Sequence, residues 1–243
     1  MSYTADFALV CEGVTDYAVL KNILIGFFRE EPRAPRITQK QPDTDATGEA
    51  GWQTFGNWEN VFRYLREGLY EEALEYNKYL VVQVDTDASE HANFGVPQQE
   101  GGTPLSPEAM VERVAEKLRE IIGAESIEKY RGRMIFAICV RDVECWILPL
   151  WEVGAKAAKT TGCLQTLNAV LAQKNEPTIS ENKKVPPYEN ASKGYRKRAT
   201  LVADGPRNPS LAVFLRDLEG RNIKLTALEE SDDIAQIGEK KEH

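Results

Sequence analysis

The sequence predicts an α/β fold, a mainly parallel sheet of about four strands flanked by helices, with a helical C-terminal extension. Three observations predict it. Short apolar, β-branched runs alternate with helical spacing across residues 7–150, the pattern of a parallel sheet covered on both faces. The clearest of these runs stop at acidic residues. After Ala155 no further apolar strand appears, and the apolar residues fall at helical spacing.

Residues 7–11 form the first strand, which ends at Glu12-Gly13. Thr15 is a candidate N-cap for a helix carrying Tyr17, Leu20, Ile23, Leu24, Phe27 and Phe28. Asp16 lies in its first turn, where the helix dipole alone accounts for a carboxylate. Residues 29–51, rich in Pro, Asp, Thr and Gln, read as a long loop or insertion, and residues 51–55 as a short strand. Asn57 caps a helix with Trp58, Val61, Phe62, Leu65 and Leu69, and helical spacing continues through Leu74.

The central run is Leu80-Val-Val-Gln-Val84, which stops at Asp85-Thr-Asp87. Residues 88–107 form a Gly- and Pro-containing loop placed to cover whatever sits at that strand end, and its His91 reads as a solvated surface residue. Ser106-Pro107-Glu108 opens an amphipathic helix with Met110, Val111, Val114, Leu118, Ile121 and Ile122 on one face. Residues 133–140 are the last strand, running into Arg141, Asp142 and Glu144, and Pro149 keeps the helix after it short.

Composition narrows the chemistry. The 243 residues, 42% hydrophobic and 28% charged, describe a globular protein with a substantial core. No stretch approaches the roughly 18 apolar residues of a membrane span, and no signal pattern opens the chain, so a cytoplasmic location is expected. Cys11, Cys139, Cys145 and Cys163 form no CxxC pair and read as reduced, buried side chains. With only His91 and His243 available, zinc and histidine-triad chemistry have little to work with. Carboxylates with a hard cation are the remaining route, and Asp85 and Asp87 stand where α/β sheets bind ligands.

The net charge of −8 argues against indiscriminate nucleic-acid binding, but residues 181–210 reverse it locally. Lys183, Lys184, Lys193, Arg196, Lys197, Arg198 and Arg207 there face Glu181, Glu189 and Asp204. With Tyr188 and Tyr195 interleaved, the run suits a phosphate backbone and unstacked bases, or else it is a solvated face. These features divide the chain into a catalytic α/β part over residues 1–150, a helical and partly basic region over 151–228, and an acidic tail over 229–243.

Val10-Cys-Glu12-Gly13-x-x-Asp16, followed after one intervening unit by a strand ending Asp85-x-Asp87, resembles the Toprim domain of topoisomerases, primases and OLD-type nucleases. The Glu-Gly-x-Thr-Asp form looks most like the OLD branch and the small single-domain Toprim proteins of bacterial anti-phage systems. Arg141-Asp-Val-Glu144-x-Trp146 is similar to one such small family. The resemblance covers about residues 5–150.

It implies a Toprim-like nuclease cutting DNA or RNA, tRNA included, as an antiviral effector. Glu12 would be the general acid or base, and Asp85 and Asp87 would bind Mg²⁺ or Mn²⁺. Asp16 and Glu144 match the acids that complete a second metal position. Arg141 either pairs with one of these acids or reaches a substrate phosphate. Two divalent ions held by carboxylates activate water and neutralise the phosphoryl oxygens in such cleavage.

The chain has no GxxxxGK[ST] loop, so an ATPase or sensor would be a separate partner chain. A homodimer is compatible with the reading. Two alternatives stand beside it: a non-catalytic Toprim module that binds nucleic acid or a protein, and a haloacid-dehalogenase-type phosphatase with Asp85 as nucleophile.

Overall fold

The structure, a computed structural model, describes residues 3–42, 57–180 and 184–226. The expected strand at 51–55 and the acidic tail lie outside them, as does Lys183.

Four strands form one sheet: β1 (Ala5–Val10), β2 (Ile37–Gln41), β3 (Asn77–Asp85) and β6 (Met134–Cys139). Their order is β2-β1-β3-β6, and every neighbouring pair is parallel. The α/β reading is therefore correct. One strand comes from an unexpected place, because β2 lies inside the stretch read as a loop. Its residues, Ile37-Thr-Gln-Lys-Gln41, are polar because it is an edge strand, partly exposed and bonded on one side only. A separate antiparallel ribbon, β4 (Gln99–Glu100) with β5 (Thr103–Pro104), decorates the loop after β3.

Parallel strands need crossovers, and the crossover helices cover both faces. On one face Ala8, Val10, Leu80, Val82 and Val84 pack against α2 (Asn57–Arg66), α3 (Tyr70–Tyr76) and α4 (Pro107–Ile122). The ring of Phe94, from the loop after β3, is buried between Trp58 and Phe62 and anchors that loop. The short α5 (Ala124–Lys129) links α4 to β6.

On the other face Phe7, Leu9, Val81, Ile135 and Ala137 pack against α1 (Val14–Phe27) and the C-terminal helices. Those helices are α6 (Glu144–Ile147), α7 (Cys163–Gln173), α8 (Val185–Ser192), α9 (Arg198–Asp204) and α10 (Pro209–Gly220). The C-terminal region thus shares a core with the sheet. No described helix is long and apolar enough to cross a membrane.

Three expectations about this region change. The basic stretch is largely helical, giving α8, a 3₁₀ turn over Lys193–Arg196, and α9. Tyr188 and Tyr195, read as base-stacking surface residues, are fully buried. With Ala191 they fall at positions i, i+3 and i+7, one apolar stripe that the surrounding charges conceal. Finally, Cys145 and Cys163 are joined in a disulfide, which corrects their reading as reduced thiols. Packing of α6 on α7 brings the two Cα atoms to 5.0 Å, and nothing in the local sequence signals that approach.

Gly26 is where the C-terminal region meets α1 most closely. A Cβ there would lie 1.7 Å from the carbonyl oxygen of Tyr195, so only glycine admits the contact.

Candidate metal centre

Side chains along a strand alternate between faces, so Val81, Gln83 and Asp85 point to the same side of β3. Val81 meets the apolar core there, whereas Gln83 and Asp85 lie where that core gives way to acids. Gln83 is the hub. Its Nε2 donates to Asp85 Oδ1 at 2.9 Å and to Asp16 Oδ1 at 3.3 Å, and its Oε1 accepts the Glu12 backbone N–H at 3.1 Å. One neutral amide thus ties the ends of β1, α1 and β3 together.

Glu12 follows β1, and its Oε1 accepts the Asp85 backbone N–H at 2.7 Å. Asp16 sits in the first turn of α1 and is buried. The helix starts at Val14 with Gly13 at the cap, two residues before the expected cap at Thr15. Asp16 folds back so closely that a Cβ on Gly13 would lie 2.8 Å from its Oδ2. Thr15, now inside the first turn, donates its hydroxyl to that same oxygen at 3.3 Å.

The third strand end supplies Arg141, Asp142 and Glu144. Arg141 has φ 74°, the left-handed region that costs a non-glycine residue strain. It is held there by the Thr86 hydroxyl, which accepts its N–H at 2.9 Å, and by its carbonyl, which accepts the Asp87 N–H at 3.1 Å. The following residues are fixed from α10: Trp146 Nε1 donates to Ser210 Oγ at 2.8 Å, and Asn208 Nδ2 to the Cys145 carbonyl at 3.2 Å. Glu144 is buried, and Tyr188 donates its hydroxyl to Glu144 Oε1.

These elements place Asp85 among carboxylates. Burial, then the charges of Asp16, Glu12, Glu144 and Asp142, push its carboxyl well above the usual range. The same acids and burial raise the thiols of Cys11 and Cys139, which sit fully buried close by. Burial, then Glu144, raises the Tyr188 hydroxyl, which is therefore a donor at any working pH.

Of the sequence-selected residues, Glu12, Asp16, Asp85 and Glu144 act on one another here, and half-buried Arg141 stands beside them. Asp87 stands apart: it is exposed, and its Oδ1 accepts the N–H of Ala88 at 2.7 Å. Asp142, given no ligand role from sequence, joins the group instead. Gln83 was missed as well, although it is the one polar residue in the run 80–84.

The donor set is all oxygen, which suits Mg²⁺ or Mn²⁺. Among the described residues, the group of three ligand-type side chains whose atoms all lie within 4.8 Å is Asp142, Cys145 and Cys163, not these carboxylates. Disulfide sulfurs are not thiolate ligands, so that group holds no soft metal. The wider carboxylate set still fits Mg²⁺, which keeps several waters and takes one or two carboxylates directly.

The basic residues divide. Lys184, Lys193 and Lys197 are exposed and Arg196 is half-buried, all on the α8–α9 segment. Arg198 is committed to structure: it donates to the Phe27 carbonyl, lies 5.2 Å over the Phe27 ring and meets Glu30 at 3.3 Å. No protein-family model, curated protein or solved structure matches the chain.

Proposed function

We propose that this chain is a Mg²⁺- or Mn²⁺-dependent phosphodiesterase acting on nucleic acid. The observation that carries the proposal is Asp85, buried at the carboxyl end of a parallel strand with Glu12, Asp16, Asp142 and Glu144 all acting on it. A site that concentrates negative charge out of water has its natural complement in a hard cation. The order of the Glu12-Gly13-x-x-Asp16 and Asp85-x-Asp87 segments supports the Toprim-like nuclease reading over a general cation site.

In this mechanism Asp85, Asp16 and Glu144 would hold the cation, with Asp142 beside them. When bound, the ion would supply Lewis-acid stabilisation of the phosphoryl oxygens and a water of lowered pKa. Glu12 takes the proton from the attacking water, its carboxylate aimed by the Asp85 N–H. Arg141, fixed by its constrained backbone, presents its guanidinium to a phosphate oxygen. Lys184, Lys193 and Lys197 would give the strand a basic track outside the site. The resemblance extends the proposal to antiviral defence, with any ATPase or sensor in a separate chain.

The test is cleavage of supercoiled plasmid, single-stranded DNA and total tRNA with Mg²⁺ or Mn²⁺, beside Glu12→Ala and Asp85→Ala. Cutting by the wild type that both substitutions abolish supports the assignment and names the substrate class. Cutting that survives Asp85→Ala, or a wild type that neither cuts nor binds metal, overturns it.

A further inference from the structure

We propose that Tyr188, from the C-terminal helices, is a positioning residue of the metal site: its hydroxyl holds Glu144 in the orientation in which that carboxylate meets the cation. This rests on the metal-site reading above. Glu144 lies on a helix of only four residues, which gives its long side chain little restraint of its own. Among the described residues, the bond from Tyr188 is the one side-chain hydrogen bond that Glu144 makes. An ionised carboxylate only accepts, so the hydroxyl must donate, which occupies Oε1 and leaves Oε2 for the ion.

Tyr188 is itself rigidly placed. Its ring is fully buried, and its carbonyl accepts the Ser192 hydroxyl at 2.7 Å. Asn22 of α1 then clamps the end of α8, donating from Nδ2 to Ser192 Oγ at 2.8 Å and to the Glu189 carbonyl at 3.0 Å. Trp151 Nε1 closes the clamp from the other side through the Ala191 carbonyl at 2.8 Å. The helix that carries Tyr188 is thus locked to the helix that carries Asp16, and two ligands supplied by different elements keep a fixed relation. A donor that orients a ligating carboxylate in this way contributes about 10–100-fold in metal affinity. The consequence is that the metal site is incomplete without residues beyond 150.

Tyr195 supplies the control. It is equally buried, but its hydroxyl donates to the Trp146 backbone carbonyl at 2.6 Å, not to a proposed ligand. The experiment measures Mn²⁺ affinity by electron paramagnetic resonance of free Mn²⁺ on the full chain, with the unfolding midpoint of each protein recorded alongside. The proteins are wild type, Asp85→Asn, Tyr188→Phe, Tyr195→Phe, Glu144→Gln and the Tyr188→Phe/Glu144→Gln double variant.

The expected result is a loss of about 10–100-fold in Mn²⁺ affinity for Tyr188→Phe, little change for Tyr195→Phe at comparable stability, and no further loss from Tyr188→Phe once Glu144 is Gln. Equal affinity of wild type and Tyr188→Phe overturns the inference while leaving the metal site standing, as does an equal loss in Tyr195→Phe. If the wild type binds no Mn²⁺, or Asp85→Asn binds it as well as wild type, the metal-site reading itself fails.

Discussion

Asp6 and Asp85 are both buried aspartates on adjacent strands of one sheet, and the fold treats them in opposite ways. At the amino end of β1, Asp6 receives both Arg33 guanidinium nitrogens at 2.6 and 2.7 Å, the Arg36 N–H at 2.7 Å and the Thr226 N–H at 2.6 Å. Burial alone would raise its carboxyl, but Arg33 and the two backbone N–H groups outweigh it and hold the group at about 2. At the carboxyl end of β3, Asp85 has one neutral amide donor and four neighbouring carboxylates, and its proton is held tightly. The first arrangement closes the structure by pinning the C-terminal segment to β1. The second costs stability in the isolated chain, and that cost is what a functional site looks like. The lesson is that burial of an acid says little until its partners are counted.

Substitutions at the two ends should therefore differ in sign. Arg33→Ala leaves Asp6 charged and buried, and we expect a loss of about 3–5 kcal/mol in urea unfolding. A smaller loss would mean that the backbone donors alone suffice. Next in size is the Cys145–Cys163 link, which fastens the helix of Glu144 to α7 across 18 positions. Cys163→Ser should cost about 3 kcal/mol under non-reducing conditions. Denatured, unreduced protein should titrate two free thiols, from Cys11 and Cys139; four would remove the disulfide from the account. Asp85→Asn goes the other way, with a gain of about 1–2 kcal/mol in metal-free protein together with loss of Mn²⁺ binding. A destabilised Asp85→Asn would show that the acids around it are already compensated.

Much of this site could be read from the sequence because apolar strand runs have an end, and the end is where α/β sheets place polar residues. Glu12, Asp16, Asp85 and Glu144 were found in that way. Asp87 was paired with Asp85 because spacing alone could not show that its side chain turns to Ala88. Gln83 escaped because one amide inside an apolar strand reads as tolerated polarity, whereas the structure makes it the joint of three elements. Tyr188 and Tyr195 were misread because charged neighbours hid their stripe, and β2 because an edge strand needs little apolar character. The disulfide depends on α6 meeting α7, a tertiary contact with no local signature.

The smallest effect we expect is also the one that separates the two aspartates most cleanly, because acid acts on them with opposite sign. Asp6 has a lowered carboxyl, so its contribution to stability is complete above the unfolded value near 3.8 and is lost as pH falls towards about 2. Asp85 has a raised carboxyl, so the folded chain binds its proton more tightly than the unfolded chain does. Its contribution is complete below the unfolded value and is lost as pH rises through the folded one. Metal-free wild type should therefore gain stability on mild acidification from neutral pH, before the loss at Asp6 takes over, and Asp85→Asn should lack that gain. Mn²⁺ must displace the same proton, so the rise in Tm at a fixed Mn²⁺ concentration should grow with pH. A rise in Tm that is independent of pH would place the cation away from Asp85.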